Sequence, residues 1–425
     1  MTGKLLSGGI KTLILKVINI GVLFLVSVSL ARILGATDYG SYVFIFSLLS
    51  LFAEPVFVGL RTMALRHTAI FIQEDSPGLL KGLYVRLQHF MLAAALVLLL
   101  LLAGVVWFMS LKGVYYNVWL LAAAAALPFV LGLNRIHDGM LRGAGFLTAS
   151  QLPKLLVRPL LLLCFVLLGW FILQRDFDAG WAMSSQLFAA LCAGLLYLIL
   201  VQRRLGEKLK TQPAEYRTGE WFRGSAPVAI STVFFSLNTR MGILLVGVLL
   251  TSADTGTYHA ALRLAELTTL AHATAVVVIE PYVARLYHQN AIQELQHKIS
   301  STSRLVFIVS VPVAAIMFFY GDFFLSLFGP EFKSAAPALA ILAASQLTTT
   351  ALGFPAMLLN MTNHASESLR GHIFGAVMHL GLSLLLVPEL GITGAAWAAF
   401  VSVTATRLFL MLRVRQLLKL NSSIF

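Results

Sequence analysis

The sequence predicts an all-α polytopic membrane protein, with about twelve transmembrane helices in two parallel six-helix lobes around a central cavity. Three observations predict it. The 425 residues are 59% hydrophobic and only 12% charged, with 29 Phe against 18 acids, more apolar surface than a soluble core can hide. Runs such as MLAAALVLLLLLAGVVWFM at 91–109 and LLLLCFVLLGWFIL at 161–174 suit membrane crossings of ~20 residues. The segment ATDYGSY at 36–42 returns as SADTGTY at 252–258, the first sign of an internal repeat.

Taken in order, the apolar runs give spans at 10–34, 40–62, 86–110, 117–141, 154–174, 180–202, 222–251, 256–286, 303–322, 334–359, 370–388 and 391–414. Turn residues punctuate them: SPG at 76–78, RGAG at 142–145, DAG at 178–180, FGPE at 328–331 and PELG at 388–391. Lys4 and Lys11 precede the first run, which continues through LARILG without an A-x-A-like cleavage site and so reads as a span, not a signal peptide. No connection has the length of a globular domain. The longest, RRLGEKLKTQPAEYRTGE at 203–220, is polar, charged and proline-containing. It divides the chain into an N-terminal lobe at 1–202, a cytoplasmic linker at 203–221 and a C-terminal lobe at 222–425.

The repeat extends beyond one turn. Asp38, Gly40 and Tyr42 match Asp254, Gly256 and Tyr258; Gly113 and Tyr116 match Gly329 and Phe332; Trp181 and Ala182 match Trp397 and Ala398, all at an offset of 216. Each of these loops follows an odd-numbered span, so the repeating unit is six spans long and both copies share one orientation. Such parallel repeats are related by an axis along the membrane normal. Within the repeated turn, Asp38 or Asp254 is expected to cap the next helix, Gly to permit a tight backbone and Tyr to anchor at the interface. With the N-terminus inside, most of the 31 Lys and Arg fall on the cytoplasmic side. Only Arg32, Lys112, Arg175 and Lys333 fall outside, which places both termini in the cytoplasm.

The same pattern excludes several functions. A net charge of +13 could suggest nucleic acid, but the basic residues are parcelled out between apolar spans without interleaved aromatics. Cys164 and Cys192 lie inside spans and read as small buried hydrophobes. His364, His372 and His379 lack the i,i+4 pairing of a zinc site, so no metal is expected. No glycine-rich phosphate loop or nucleotide domain points to ATP, and no triad or exposed carboxylate pair suggests catalysis.

Four stretches then carry a family resemblance. SLARILGATDYGSYVFIFSLLSLFAEPVFVGLRTMALR, TGTYHAALRLAEL with the later Pro281, FGPEFKSAAPALAILAASQ and ELGITGAAWAAF resemble the polysaccharide-export (O-antigen-type) oligosaccharide flippases. These belong to the multidrug, oligosaccharidyl-lipid and polysaccharide exporter superfamily, and the resemblance covers essentially the whole chain. It implies a flippase of a bacterial inner membrane that moves a polyprenyl-diphosphate-linked oligosaccharide from the cytoplasmic to the outer leaflet by alternating access, serving surface polysaccharide or lipopolysaccharide export. Other proteins of surface-polysaccharide assembly would be its partners. The implied coupling ion is H⁺ or Na⁺, with no other cofactor.

A diphosphate crossing a bilayer needs cations inside the spans facing a wet cavity. Arg240 in span 7 and Arg263 with Glu266 in span 8 sit roughly 10–17 Å below the outer boundary at 1.5 Å per residue. Lys16 in span 1 and Arg158 in span 5 lie nearer the cytoplasm. Arg240, Arg263, Lys16 and Arg158 are therefore the candidate cargo contacts, and Glu54 and Glu266 the candidate gating or coupling carboxylates. The structural alternatives are equally concrete: Arg240 lies level with Glu266 across the turn at 252–255, Arg263 reaches Glu266 at i,i+3, Lys16 and Arg158 can snorkel to the interface, and Glu54 falls within a turn of Lys16. Two other functions stay open, a cation-coupled drug or metabolite antiporter of the same superfamily and a membrane glycan polymerase or ligase. The first would be expected to carry coupling carboxylates, which span 1 lacks; the second would need a large outer loop.

Overall fold

The computed structural model describes residues 2–111, 113, 115–173, 176–210, 212–223 and 226–424, with side chains at all of these except 2–14, 17, 220, 222–223, 226–231 and 281. Lys4, Lys11, Lys112, Arg175 and the Pro281 ring thus lie outside the described residues. Among the described residues every regular element is helical. Nine helices among the described residues are long and apolar enough to cross a membrane, and a bent pair, Pro330–Ala351 with Pro355–Met361, makes a tenth. Two of the nine are far too long for one crossing. Ile18–Gln73 has 56 residues, about 84 Å of helix against ~30 Å of hydrocarbon, and it is broken at Gly35, whose φ is +70°. Ala365–Leu418 has 54 residues and is broken at Gly391, φ +59°. Divided at those glycines, each supplies two crossing lengths, and the total meets the twelve that the sequence predicts.

The exposed faces of these helices are apolar. Leu100, Phe171, Phe319, Val377 and Leu385 are each two-thirds or more exposed, as side chains facing lipid tails would be. Aromatic residues gather where those helices end, with Trp107, Tyr115 and Trp119 around one loop and Tyr320 and Phe323 around its repeat, the pattern of an interfacial belt. Cys164 and Cys192 are exposed on such faces. The expectation that they are buried is corrected, because a membrane helix has no polar exterior from which a thiol must hide.

Several spans are less regular than predicted. Span 5 begins earlier, at Leu147, and passes through a π-turn at Pro153–Val157, where a proline lacks the N–H that an α-turn would use. Span 8 is interrupted by a 3₁₀ turn at Leu267–Thr269. Span 10 breaks between Ala351 and Pro355 at Gly353, φ +71°. A Cβ at Gly353 would lie 1.8 Å from the Ser422 carbonyl oxygen, since the tail runs into this break. There the Ser422 hydroxyl donates to the Leu352 carbonyl at 3.1 Å and the Ile424 N–H to the Ala351 carbonyl at 3.1 Å, which satisfies carbonyls that the helix end leaves open.

Backbone proximity divides the chain into two compact units, residues 1–34 with 45–236, and residues 35–44 with 237–425. In the first unit, Met91, Leu83 and Leu87 pack with Ile136, Met140 and Tyr197, and the sulfur of Met91 fills the space that a side chain at Gly132 would need. The end of the linker joins this core, with Trp221 buried against Phe71 and His67.

The second unit explains the repeated turn, because its two copies pack on each other. A Cβ at Gly40 would lie 1.7 Å from the Ser252 carbonyl oxygen, and a Cβ at Gly256 would lie 2.3 Å from the Ala36 carbonyl oxygen. Gly40 corresponds to Gly256 and Ala36 to Ser252, so the contact is reciprocal. The glycines are there for close helix approach, not for a tight turn. Asp254 sits at the third position of its helix in a capping box, accepting from the Thr251 N–H at 3.1 Å while the Thr251 hydroxyl accepts from the Asp254 N–H at 3.1 Å. Thr251 is the N-cap. Tyr42 and Tyr258 are buried, which corrects their expected place at the interface: the helix crossing encloses them.

Candidate functional site

In the second unit, two of the predicted cations and one carboxylate come together. Arg263 Nη1 donates to Glu266 Oε2 at 2.9 Å, and the two side chains are 39% and 45% exposed. The i,i+3 pairing anticipated for Arg263 is the one adopted. The 3₁₀ turn begins immediately after Glu266, and the Thr269 hydroxyl donates to the Glu266 backbone carbonyl at 2.9 Å. One turn before Arg263, buried His259 lies within electrostatic reach of both Arg263 and Arg240. Its Nδ1 shares a 2.8 Å hydrogen bond with the Tyr39 hydroxyl, and the Tyr39 ring meets Phe332 edge-on. Arg263 and Glu266 are thus paired at a helix break, with His259 within the reach of Arg263 and that of Arg240. Such breaks admit backbone polar groups at membrane depth only where protein or water receives them.

The first unit holds the larger charged group, most of which the sequence reading missed. Arg135 Nη2 donates to Glu54 Oε1 at 2.7 Å and Oε2 at 3.3 Å. This corrects the expected partner of Glu54, which is Arg135 in span 4 instead of Lys16 in span 1. Three residues on, Asp138 is 1% exposed and lies between two arginines, with Arg142 Nε donating at 2.9 Å and Arg61 Nε in ionic contact at 2.9 Å. Lys154 lies within electrostatic reach of Arg135, Asp138, Arg61 and Glu54. Arg158, half-buried, closes the π-turn whose Pro153 carbonyl accepts its N–H. Asn19 Nδ2, one turn beyond Lys16, donates to the Leu155 carbonyl at 2.8 Å, so the helices carrying Lys16 and Arg158 adjoin within this unit.

A signal for the missed residues existed. Arg135, Asp138 and Arg142 follow an i,i+3,i+7 spacing that stacks them on one helix face. In the sequence that stretch lies at the cytoplasmic end of the span expected at 117–141, where basic residues are ordinary. Among the described residues, no three His, Cys, Asp or Glu side chains gather as a metal site would require.

Comparison with known proteins bears on this arrangement. The family model described as polysaccharide biosynthesis protein matches residues 5–287, and a second, described as MatE, matches residues 227–373. The chain is 24% identical over 396 residues to the probable low-salt glycan biosynthesis flippase Agl15 of Haloferax volcanii, covering 92% of this chain and 80% of that one. Among solved structures, an inward-facing multidrug resistance MATE family transporter of the MOP superfamily superposes with a TM-score of 0.80 at 15% identity, over 93% of this chain and 95% of that one. A MOP superfamily transporter of Pyrococcus furiosus superposes with a TM-score of 0.67 at 15% identity, over 96% and 95% of the two chains. The fold is therefore that of MATE-like transporters, and the protein is a multi-pass membrane protein.

Proposed function

The chain belongs to the polysaccharide biosynthesis protein family, and from that premise we propose that it is a flippase for a polyprenyl-diphosphate-linked oligosaccharide. The observation that carries the reading is likeness to a glycan biosynthesis flippase along 92% of the chain, on a transporter fold. The cargo moves from the cytoplasmic to the outer leaflet of a bacterial inner membrane by alternating access, for surface polysaccharide export. Both termini and the 203–221 linker are cytoplasmic. Export is driven by H⁺ or Na⁺ and works alongside other surface-polysaccharide assembly proteins.

The chemistry asks for cations that hold a diphosphate in transit and carboxylates that hold those cations when the cargo is absent. Arg240 and Arg263 take the first role in the second unit, and Lys16 and Arg158 in the first. Glu266, paired with Arg263, and Glu54, paired with Arg135, take the second: each releases a guanidinium when phosphate oxygens displace the carboxylate. The part-exposed Arg263–Glu266 pair suits such an exchange, because phosphate oxygens can take the place of the carboxylate on a guanidinium.

The test is export of surface glycan in cells lacking their native flippase, with membrane abundance checked in parallel. Restored export that fails in Arg240→Gln and Arg263→Gln at equal abundance is expected. Extrusion of cationic drugs without any glycan export would overturn the reading in favour of an antiporter. Orientation is tested with single cysteines at exposed Lys210 and Asp176 in a variant lacking Cys164 and Cys192. Labelling of position 210 by an impermeant reagent in intact cells would reverse the topology.

A further inference from the structure

We propose that the cation cluster of the first unit, built on Arg61, Arg135, Arg142 and Lys154, is itself a diphosphate-binding site that takes the cargo's headgroup at the cytoplasmic end of the membrane. The proposal rests on the flippase reading and adds a second, earlier station to it.

Charge balance is the first reason. Among the described contacts, Arg61, Arg135, Arg142 and Lys154 share the neighbourhood of Glu54 and Asp138, four cations to two carboxylates and a formal excess of two positive charges. The cations repel one another: Arg61 lies within reach of Arg135 and Arg142, and Lys154 within reach of Arg61 and Arg135. A cluster serving only to join helices would be expected to balance, since like charges at membrane depth are expensive. An anion with two negative charges would balance this one.

Donor geometry is the second reason. An arginine brings five N–H donors, and each carboxylate contact here uses one nitrogen: Nε of Arg61, Nε of Arg142 and Nη2 of Arg135. The three side chains are 20–26% exposed, while Asp138 is sealed at 1%. Carboxylates that engage one nitrogen of each arginine hold it in place and leave its remaining donors for phosphate oxygens.

Depth is the third reason. At 1.5 Å per residue from the Gly143 end of its helix, Arg142 sits about 1.5 Å in, Asp138 about 7.5 Å and Arg135 about 12 Å. Counted from Leu147, where the next helix begins, Lys154 sits about 10 Å in and Arg158 about 16 Å. The cations form a ladder from the helix ends inward. A headgroup captured at the lower rungs is drawn toward the higher ones without meeting an uncompensated stretch of low dielectric. The proline-led π-turn at Pro153–Val157 sets Lys154 and Arg158 on the ladder from the neighbouring helix.

The experiment uses the full chain in phosphatidylcholine nanodiscs, with undecaprenyl diphosphate and inorganic pyrophosphate as probes. Lys154→Gln is the primary variant, because neither carboxylate of the cluster depends on Lys154 for its ion pair. It should raise the Kd for both probes at least tenfold, and Lys154→Arg should stay within about twofold of wild type. Arg135→Gln with Glu54→Gln, which removes a pair without orphaning a charge, should weaken binding likewise. Lys208→Gln, at the exposed Lys208–Asp75 pair, should leave this binding step within about twofold. Unchanged binding in Lys154→Gln and in the double variant would overturn the site and leave the flippase reading standing. Phosphatidylglycerol in the disc displacing both probes from wild type would also overturn it, identifying a phospholipid-headgroup site. A wild-type chain that binds neither probe and restores no export would overturn the flippase reading as well.

Discussion

The two halves of the chain solve the same packing problem in opposite ways. At the repeat offset of 216, Arg135, Asp138 and Arg142 of the first unit correspond to Ala351, Phe354 and Leu358 of the second, and Glu54 and Arg61 to Leu270 and Val277. Phe354 and Leu358 are 1% and 0% exposed within a core that also holds Val283, Ile299 and Leu410. Where one half places a carboxylate between two arginines, its counterpart places packed hydrocarbon. The fold therefore has an apolar answer available at these positions. Buried ion pairs are often neutral or costly beside hydrophobic residues of similar volume, so retention of the charged answer in one half points to a role other than stability.

The sharpest way to break this comparison is to transplant one answer onto the other. Asp138→Ala alone should be severe, costing about 3–5 kcal/mol, because Arg61 and Arg142 then face each other without a counter-charge. Thermal unfolding in detergent and membrane abundance would both report it. Replacing the group together, as Glu54→Leu, Arg61→Val, Arg135→Ala, Asp138→Phe and Arg142→Leu, should return stability to within about 2 kcal/mol of wild type or beyond it. It should abolish glycan export. A transplanted protein that exports normally would show the cluster to be dispensable, and one that cannot fold would show that the two halves are not interchangeable at this depth.

A second contrast lies between glycines. Gly40→Ala and Gly256→Ala each drive a Cβ into a carbonyl oxygen of the opposing turn and should cost about 1–3 kcal/mol by forcing the helices apart. Gly104, in the lipid-facing helix Pro77–Leu111, has open space around its Cβ position. Gly104→Ala should stabilise by about 0.5–1 kcal/mol through helix propensity. Equal effects at Gly40 and Gly104, measured by thermal unfolding, would remove the packing explanation of the repeated turn.

The repeat and the number of spans were legible because they are written in one dimension: apolar runs of crossing length, and turns at a fixed offset. The role of Gly40 was not, since a glycine for close approach and a glycine for a turn look alike until the opposing carbonyl is known. Arg263–Glu266 was legible because i,i+3 partners are fixed by helix geometry alone. Glu54–Arg135 joins residues 81 apart, and the nearer Lys16 was the natural guess from a hairpin. The helix break at 267–269 and the support of the one at 352–354 were hidden for a related reason. Leu267, Thr268 and Thr269 are not strong breakers, whereas Gly353 and Pro355 do mark the second break, and what the sequence hid there is the tail from residues 420–424 that accommodates it.

The smallest expected effect on stability belongs to the exposed pair of the second unit, and there the comparison with Asp138 becomes most informative. Exchanging the pair as Arg263→Glu with Glu266→Arg keeps one charge of each sign at the same i,i+3 spacing, so the change in stability should be small beside that of Asp138→Ala. The cation moves by three residues, about 4.5 Å along the axis and most of a turn around it, to the edge of the 3₁₀ break. His259 then has a carboxylate one turn away where an arginine stood. If the pair is only a strut between turns of one helix, export should survive the exchange, because the strut survives. If Arg263 holds phosphate oxygens, the exchanged protein should reach the membrane at normal abundance and fail to export, since an anion now stands where the headgroup must pass. Arg263→Lys should then retain part of the activity, keeping the charge while losing the planar fork. Full export by the exchanged protein would remove Arg263 from the cargo path and leave the first unit's cluster as the seat of headgroup recognition.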